Sequence, residues 1–285
     1  MLAQVYIISF GEREMSILEA VFCGVIQGAC EFLPVSSSGH LALLHGLFGI
    51  SVGGDDLAFD VMLHLGTLFA VLIAYRKDLA PLVRAFFGAA RKILKKEFAS
   101  AAPEEKTALY LALATLPLAA AAFLGDGASA LARYPKITGA MLMLNGVMLV
   151  VGGRFGRKTK KCHELSPTGA LGTGLFQLFA VIPGISRSGS TITGGEIFGL
   201  KTEEAVRFSF LLSIPAIIGA NAFEAVDVIK SGASVPLAAC AVGTVTAALV
   251  GFLAIGIIKK LAKKRNFNIF GIYCIAVGAF AVLYG

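Results

Sequence analysis

The chain has 285 residues, 56% hydrophobic and 15% charged, where soluble domains carry about a quarter charged residues. That balance excludes a soluble globular domain, and apolar windows of about 20 residues without strand-like alternation favour helices over an outer-membrane barrel. Lys and Arg exceed Asp and Glu by 25 − 18 = 7, but the basic residues gather between apolar segments, so the excess reports topology and no nucleic acid partner.

The opening stretch MLAQVYIISFGEREM lacks the basic region of a secretory leader, so nothing is set aside as a removable segment. Residues 26–40, IQGACEFLPVSSSGH, then place polar groups in an apolar neighbourhood, where they need partners or a function. Gln27 and Glu31 are four apart and share a helix face. Pro34 loosens that helix. Ser36, Ser37, Ser38 and Gly39 follow as a break whose amides are free to face an anion, and His40 ends it.

Apolar windows at about 57–75, 107–124, 137–153, 203–223, 236–258 and 267–284 predict six spanning helices. Between the first two, residues 76–106 set Leu82, Phe86 and Phe87 beside Arg91, Lys92, Lys95 and Lys96, the pattern of a basic helix on the membrane surface or of a solvated loop. A second broken region, 166–201, contains PGISRSGST. Pro183 and Gly184 interrupt a helix, Ser186 caps the next one, and Arg187 brings a fork of donors suited to phosphate. Ser188, Ser190 and Thr191 add hydroxyls near a helix start, a favourable place for negative charge. Cys23, Cys30, Cys162, Cys240 and Cys274 lack metal-ligand spacing and read as small hydrophobes.

The resulting expectation is an all-α integral membrane protein, one membrane domain over 1–285, with six spanning helices and two re-entrant helix pairs at 16–50 and 166–201. Its halves, about 16–153 and 166–284, echo one another as an inverted-topology repeat whose tips meet in one polar pocket. With the basic loops at 76–96, 154–161 and 259–265 in the cytoplasm, the 125–136 hairpin, the 224–235 loop and both chain ends face outward.

The pocket chemistry suits phosphate or diphosphate. Arg187 would bind the non-bridging oxygens, His40 would exchange a proton, a serine would be attacked onto phosphorus, and Glu31 would hold a cation, orient His40 or activate water. Structural readings stand beside these. Glu31 pairs with Arg187 to cancel charge, His40 is a helix-start residue, and Ser36 and Ser38 are caps or close-packing positions. His45 and His64 sit singly among leucines and glycines and read as structural, with His64 placed to approach the pocket. His163 reads as solvated, Asp56 and Asp60 flank the first long span, and Glu196 caps or pairs. A transporter or flippase would use the same broken helices, but an acid beside a titratable base serves hydrolysis rather than carriage.

QGACEFLPVSSSGH and PGISRSGST, in this order, resemble the bacterial undecaprenyl-diphosphate phosphatase family of the bacitracin-resistance type, over essentially the whole chain. The resemblance implies an inner-membrane hydrolase that converts undecaprenyl diphosphate to the monophosphate carrier lipid of peptidoglycan synthesis. It implies Glu31, Ser37, His40 and Arg187 as catalytic residues, with the nucleophile open between Ser37 and His40. Gln27, Ser36, Ser38, Ser186, Ser188 and Thr191 would bind the diphosphate. It also implies magnesium or calcium, a pocket open to the periplasm, and a homodimer. Many members carry Glu where this chain has Gln27, so a two-carboxylate metal site is not expected and Glu31 would hold the ion alone. Lipid phosphatases with a second catalytic His fit less well, since SGSTITGGEIFGL after Arg187 has none.

Overall fold

The computed structural model describes residues 15–48, 56–121, 129–155, 158–231, 237–264 and 267–285. The GERE stretch of the N-terminal tail, the first part of the 125–136 hairpin and the side chains of His45 and Asp56 lie outside what it describes.

Its helices among the described residues are α1 (Ile17–Phe32), α2 (Ser37–Phe48), α3 (Asp56–Ala74), α4 (Arg76–Leu94), α5 (Pro103–Ala121), α6 (Pro135–Gly152), α7 (Pro167–Phe179), α8 (Arg187–Ile197), α9 (Thr202–Ser231), α10 (Leu237–Lys263) and α11 (Asn268–Tyr284). Local sequence sets several starts. Ser16 and Glu19 form a reciprocal capping box on α1, Ser16 Oγ accepting from the Glu19 amide at 3.2 Å and Glu19 Oε2 from the Ser16 amide at 2.9 Å. Ser166 caps α7 with Pro167 in its first position, and Ser186 caps α8.

The all-α membrane class holds, but the expected count of six spans and two re-entrant pairs in an inverted repeat does not. Among the described residues three helices are long and apolar enough to cross a membrane, Pro135–Gly152, Thr202–Lys230 and Leu237–Lys263, and a fourth crossing exists if the pair α3 and α4, bent by 87°, is taken as one. The reasons are physical. The first turn of α5 is Pro103-Glu104-Glu105-Lys106, which leaves too short an apolar run. At 17 residues α11 spans about 25 Å, short of a hydrocarbon layer of about 30 Å. The pairs α1–α2 and α7–α8 are shorter in every member and do not pass together as bent spans. Residues 224–231, expected in a loop, continue α9.

Helix pairing positions the site. α1 packs on α10, which also packs on α3; α7 packs on α5; and α6 packs on α11. Small residues permit the close approach: a Cβ on Gly28 of α1 would collide with the Ala247 carbonyl and the Gly251 amide of α10. The largest apolar cluster includes Phe32, Phe208, Phe210, Leu212, Ile255 and Ile258, with Phe32 edge-on to Phe210 at 5.3 Å. Phe32, the last residue of α1, anchors the C-terminal end of that helix in this cluster.

α6 acts as a ruler for the two broken pairs. Gly46 of α2 lies against Pro135 at the α6 N-terminus, while Gly152 at its C-terminus lies against Thr193 of α8. The breaks themselves meet near its middle, at Asn145. From there α2 and α8 run toward opposite ends of α6.

Candidate active site

The breaks are joined by buried polar contacts. Asn145 Nδ2 donates to the Pro34 carbonyl at 3.1 Å, and Asn145 Oδ1 accepts from the Ser186 amide at 3.0 Å. Ser188 Oγ donates to the Leu33 carbonyl at 3.1 Å. Ser36 stands at φ 71°, a left-handed conformation uncommon outside glycine, and turns the chain into α2. Its Oγ accepts from the Gly39 amide at 3.2 Å, and Gly184 takes φ 101° in the facing break.

Glu31 is the hub. Its Oε1 accepts from Arg187 Nη2, and its Oε2 accepts from Ser37 Oγ at 2.8 Å and from Gln27 Nε2 at 3.2 Å. The expected one-face placement of Gln27 and Glu31 on a helix is present, and the Glu31–Arg187 ion pair joins α1 to the first residue of α8. All four side chains are nearly enclosed, Gln27 completely so. Arg187 Nη1 and Gln27 Oε1 are buried with no hydrogen-bond partner. An unpaired guanidinium nitrogen at the positive end of a helix, beside a hydroxyl bonded to a carboxylate, is an arrangement that accepts a phosphoryl group.

The other candidates lie around this centre. His40 donates from Nδ1 to the Ser36 carbonyl at 2.8 Å, a tautomer that follows because a carbonyl only accepts. Its Nε2 then accepts from Tyr273 Oη at 2.9 Å. Ser186 accepts from the Gly189 amide and contacts Ser188 Oγ at 3.1 Å. Thr191 Oγ1 donates to the Arg187 carbonyl at 2.9 Å and lies 2.6 Å from Ser209 Oγ. Ser38 is exposed, 3.4 Å from Ser36 Oγ. Thus Gln27, Glu31, Ser37 and Arg187 converge directly, whereas His40, Ser36, Ser186, Ser188 and Thr191 hold the surrounding backbone. Glu196 pairs with Lys158 at 3.0 Å toward the other end of α8.

Asn145, Tyr273 and His64 also belong to the neighbourhood. Nothing in the sequence singled out Asn145 or Tyr273, each of which lies in an apolar helix far from either motif. His64 had the one available signal, an ionisable group inside an apolar helix. Its Nε2 is 4.0 Å from Glu31 Oε2.

The described residues gather no group of three or more His, Cys, Asp or Glu suited to a metal ion. Among the four described residues that converge here, Glu31 is the one carboxylate, and its oxygens already accept from Arg187, Ser37 and Gln27. A hard divalent ion takes about six oxygen ligands, so these residues do not build a resident cation site.

Residues 20–280 match the family model described as bacitracin resistance protein BacA. The chain is 38% identical over 267 residues to the undecaprenyl-diphosphatase of Rubrobacter xylanophilus, covering 93% of this chain and 97% of that protein. It is 37% identical over 280 residues to the undecaprenyl-diphosphatase of Methanosphaera stadtmanae, covering 94% and 98%, and 37% identical over 280 residues to undecaprenyl-diphosphatase 1 of Shouchella clausii, covering 95% and 97%. With the two broken helix pairs carrying its polar residues to one point and the match running almost end to end, this chain is a member of the bacitracin resistance protein BacA family.

Proposed function

We propose that the protein hydrolyses undecaprenyl diphosphate to undecaprenyl phosphate and inorganic phosphate, recycling the carrier lipid of cell-wall synthesis. The observation that carries this is the buried, unpartnered Nη1 of Arg187, on the same guanidinium carbon as the nitrogen held by Glu31. A terminal phosphoryl group supplies the acceptor it lacks and sits within reach of Ser37. Hydrolysis is favoured over carriage because the hydroxyl of Ser37 is bonded to a carboxylate, which an anion carrier has no use for.

Ser37 serves as nucleophile. Its proton passes to Glu31 as Oγ bonds to the terminal phosphorus and the bridging P–O bond breaks. The lipid monophosphate is a good leaving group and needs no proton. Arg187 neutralises charge on the non-bridging oxygens, and Gln27 orients Glu31 through its amide. His40, with both ring nitrogens bonded, anchors the strained turn at Ser36 and with it the position of Ser37. A magnesium or calcium requirement belongs to the diphosphate, which carries its own counter-ion; no step passes through it. The pocket opens toward the periplasm of the inner membrane, opposite the basic segments.

The test is phosphate release from undecaprenyl diphosphate by the purified protein in detergent, beside Arg187→Ala. Turnover in the native chain and a loss of about 10²–10³-fold in the variant are expected, as for removal of a charge-stabilising donor. Release absent from the folded native chain, or undiminished in Arg187→Ala, overturns the reading.

A further inference from the structure

His64 is on α3, outside both motifs, and the reaction as described does not use it. Its Nδ1 lies 2.8 Å from the Asp60 carbonyl one turn earlier, and a carbonyl only accepts, so Nδ1 carries the hydrogen and Nε2 of the neutral ring is a lone pair. That lone pair faces Glu31 Oε2 at 4.0 Å, too far for a hydrogen bond. A histidine serving only the core would have both nitrogens satisfied. With the ring neutral, an imidazole acceptor and a carboxylate acceptor face each other across a gap that a donor such as water can bridge. The side chain of His64 is 26% exposed against 7% for Glu31, so the His64 side is the more open side of the pair. The charged groups acting on the ring are Glu31 from α1, Asp60 on α3 itself and Glu224 from α9, with Arg187 of α8 beyond Glu31.

Resting on the hydrolase reading above, we infer that His64 is a further catalytic residue, the base that takes the proton of the attacking water when phosphorylated Ser37 is hydrolysed. The proton count favours a second base at the moment the water attacks. After the first step Glu31 holds the proton of Ser37 and cannot accept another. In the second step the water oxygen bonds to phosphorus and the bond from phosphorus to Ser37 Oγ breaks. Glu31 returns its proton to Oγ, and the proton of the water passes to His64 Nε2, leaving hydrogen phosphate. The two protons thus have separate acceptors on separate helices.

The experiment compares the full chain with His64→Asn, whose side-chain amide keeps the donor toward the Asp60 carbonyl while removing Nε2. Undecaprenyl diphosphate labelled in its terminal phosphate is mixed rapidly with each protein, and protein-bound label and released phosphate are followed. The expected result is a burst of phosphoserine in the variant at the native rate, with steady-state turnover lower by about 10²–10⁴-fold and the acid limb of the kcat–pH profile gone. Native turnover, or a burst lost in step with turnover, overturns the role of His64. If His64→Asn does not fold, as judged by its melting transition, His64→Gln is read against the same two outcomes. A native chain that releases no phosphate sinks the hydrolase reading itself, whereas a native chain that turns over beside an unaffected variant sinks His64 alone.

Discussion

At the residue scale, one carboxylate does most of the organising. Glu31 binds Arg187 through one oxygen and Ser37 and Gln27 through the other. Gln27 donates a neutral hydrogen bond to it at 3.2 Å, in the place where a glutamate would set a second acid. Two carboxylates at that separation cannot both stay ionised without a cation or a shared proton between them. Gln27→Glu is therefore expected to make activity steeply dependent on added magnesium, measured as the ratio of rates with and without chelator. An unchanged ratio would show that this position does not govern cation demand. The motif residues were legible because ionisable groups stand out in an apolar chain, and their spacing placed Gln27 and Glu31 on one face. Asn145 and Tyr273 were not legible, because their partners are backbone atoms or ring nitrogens brought near only by folding. His64 was visible as an oddity, but its bond to the carbonyl one turn back is also what a structural histidine makes.

At the element scale, the breaks matter more than the helices they interrupt. Pro34 and Pro183–Gly184 predict them, and Ser186 predicts the cap of α8, so these local features were readable. Helix lengths were less so. The turn at Tyr75 bends α4 by 87° from α3, and Tyr75 is buried beneath Lys259, whose Nζ is 3.8 Å from the ring centroid. Arg207 on α9 fixes Asp78 of α4 at 2.5 Å. Hydropathy has no view of such contacts, which explains why residues 57–75 read as a complete crossing. One side-chain amide, that of Asn145, bonds to both breaks at once. Asn145→Ala leaves the Pro34 carbonyl and the Ser186 amide buried without their partner, each costing about 1–3 kcal/mol. A drop of about 3 kcal/mol in stability is expected, with activity falling further than stability because Ser37 and Arg187 lose their register. Equal melting curves for variant and native chain would remove Asn145 from this role.

At the scale of the whole molecule, the pocket lies where α2 and α8 part company along α6, away from both ends of that helix. In the proposed orientation the basic segments at residues 76–96, 154–161 and 259–265 face the cytoplasm. All five cysteines are free and buried, so a single introduced thiol would report without background. Arg133, exposed just before α6, is the suitable place. Arg133→Cys is expected to react with a membrane-impermeant thiol reagent applied from the periplasmic side of intact cells. Reaction only from the cytoplasmic side would invert the orientation.

The ion pair between Glu31 and Arg187 has a consequence for affinity. Before substrate arrives, the guanidinium already holds an anion, and that anion is tethered. The carboxylate behaves as an internal competitor present at high effective concentration, so a diphosphate gains only the difference between its own attraction to Arg187 and that of Glu31. Entry becomes an exchange of counter-ions. The same competitor stands ready to reclaim the arginine when the phosphate departs, which keeps a strongly charged product from lingering in a nearly enclosed site.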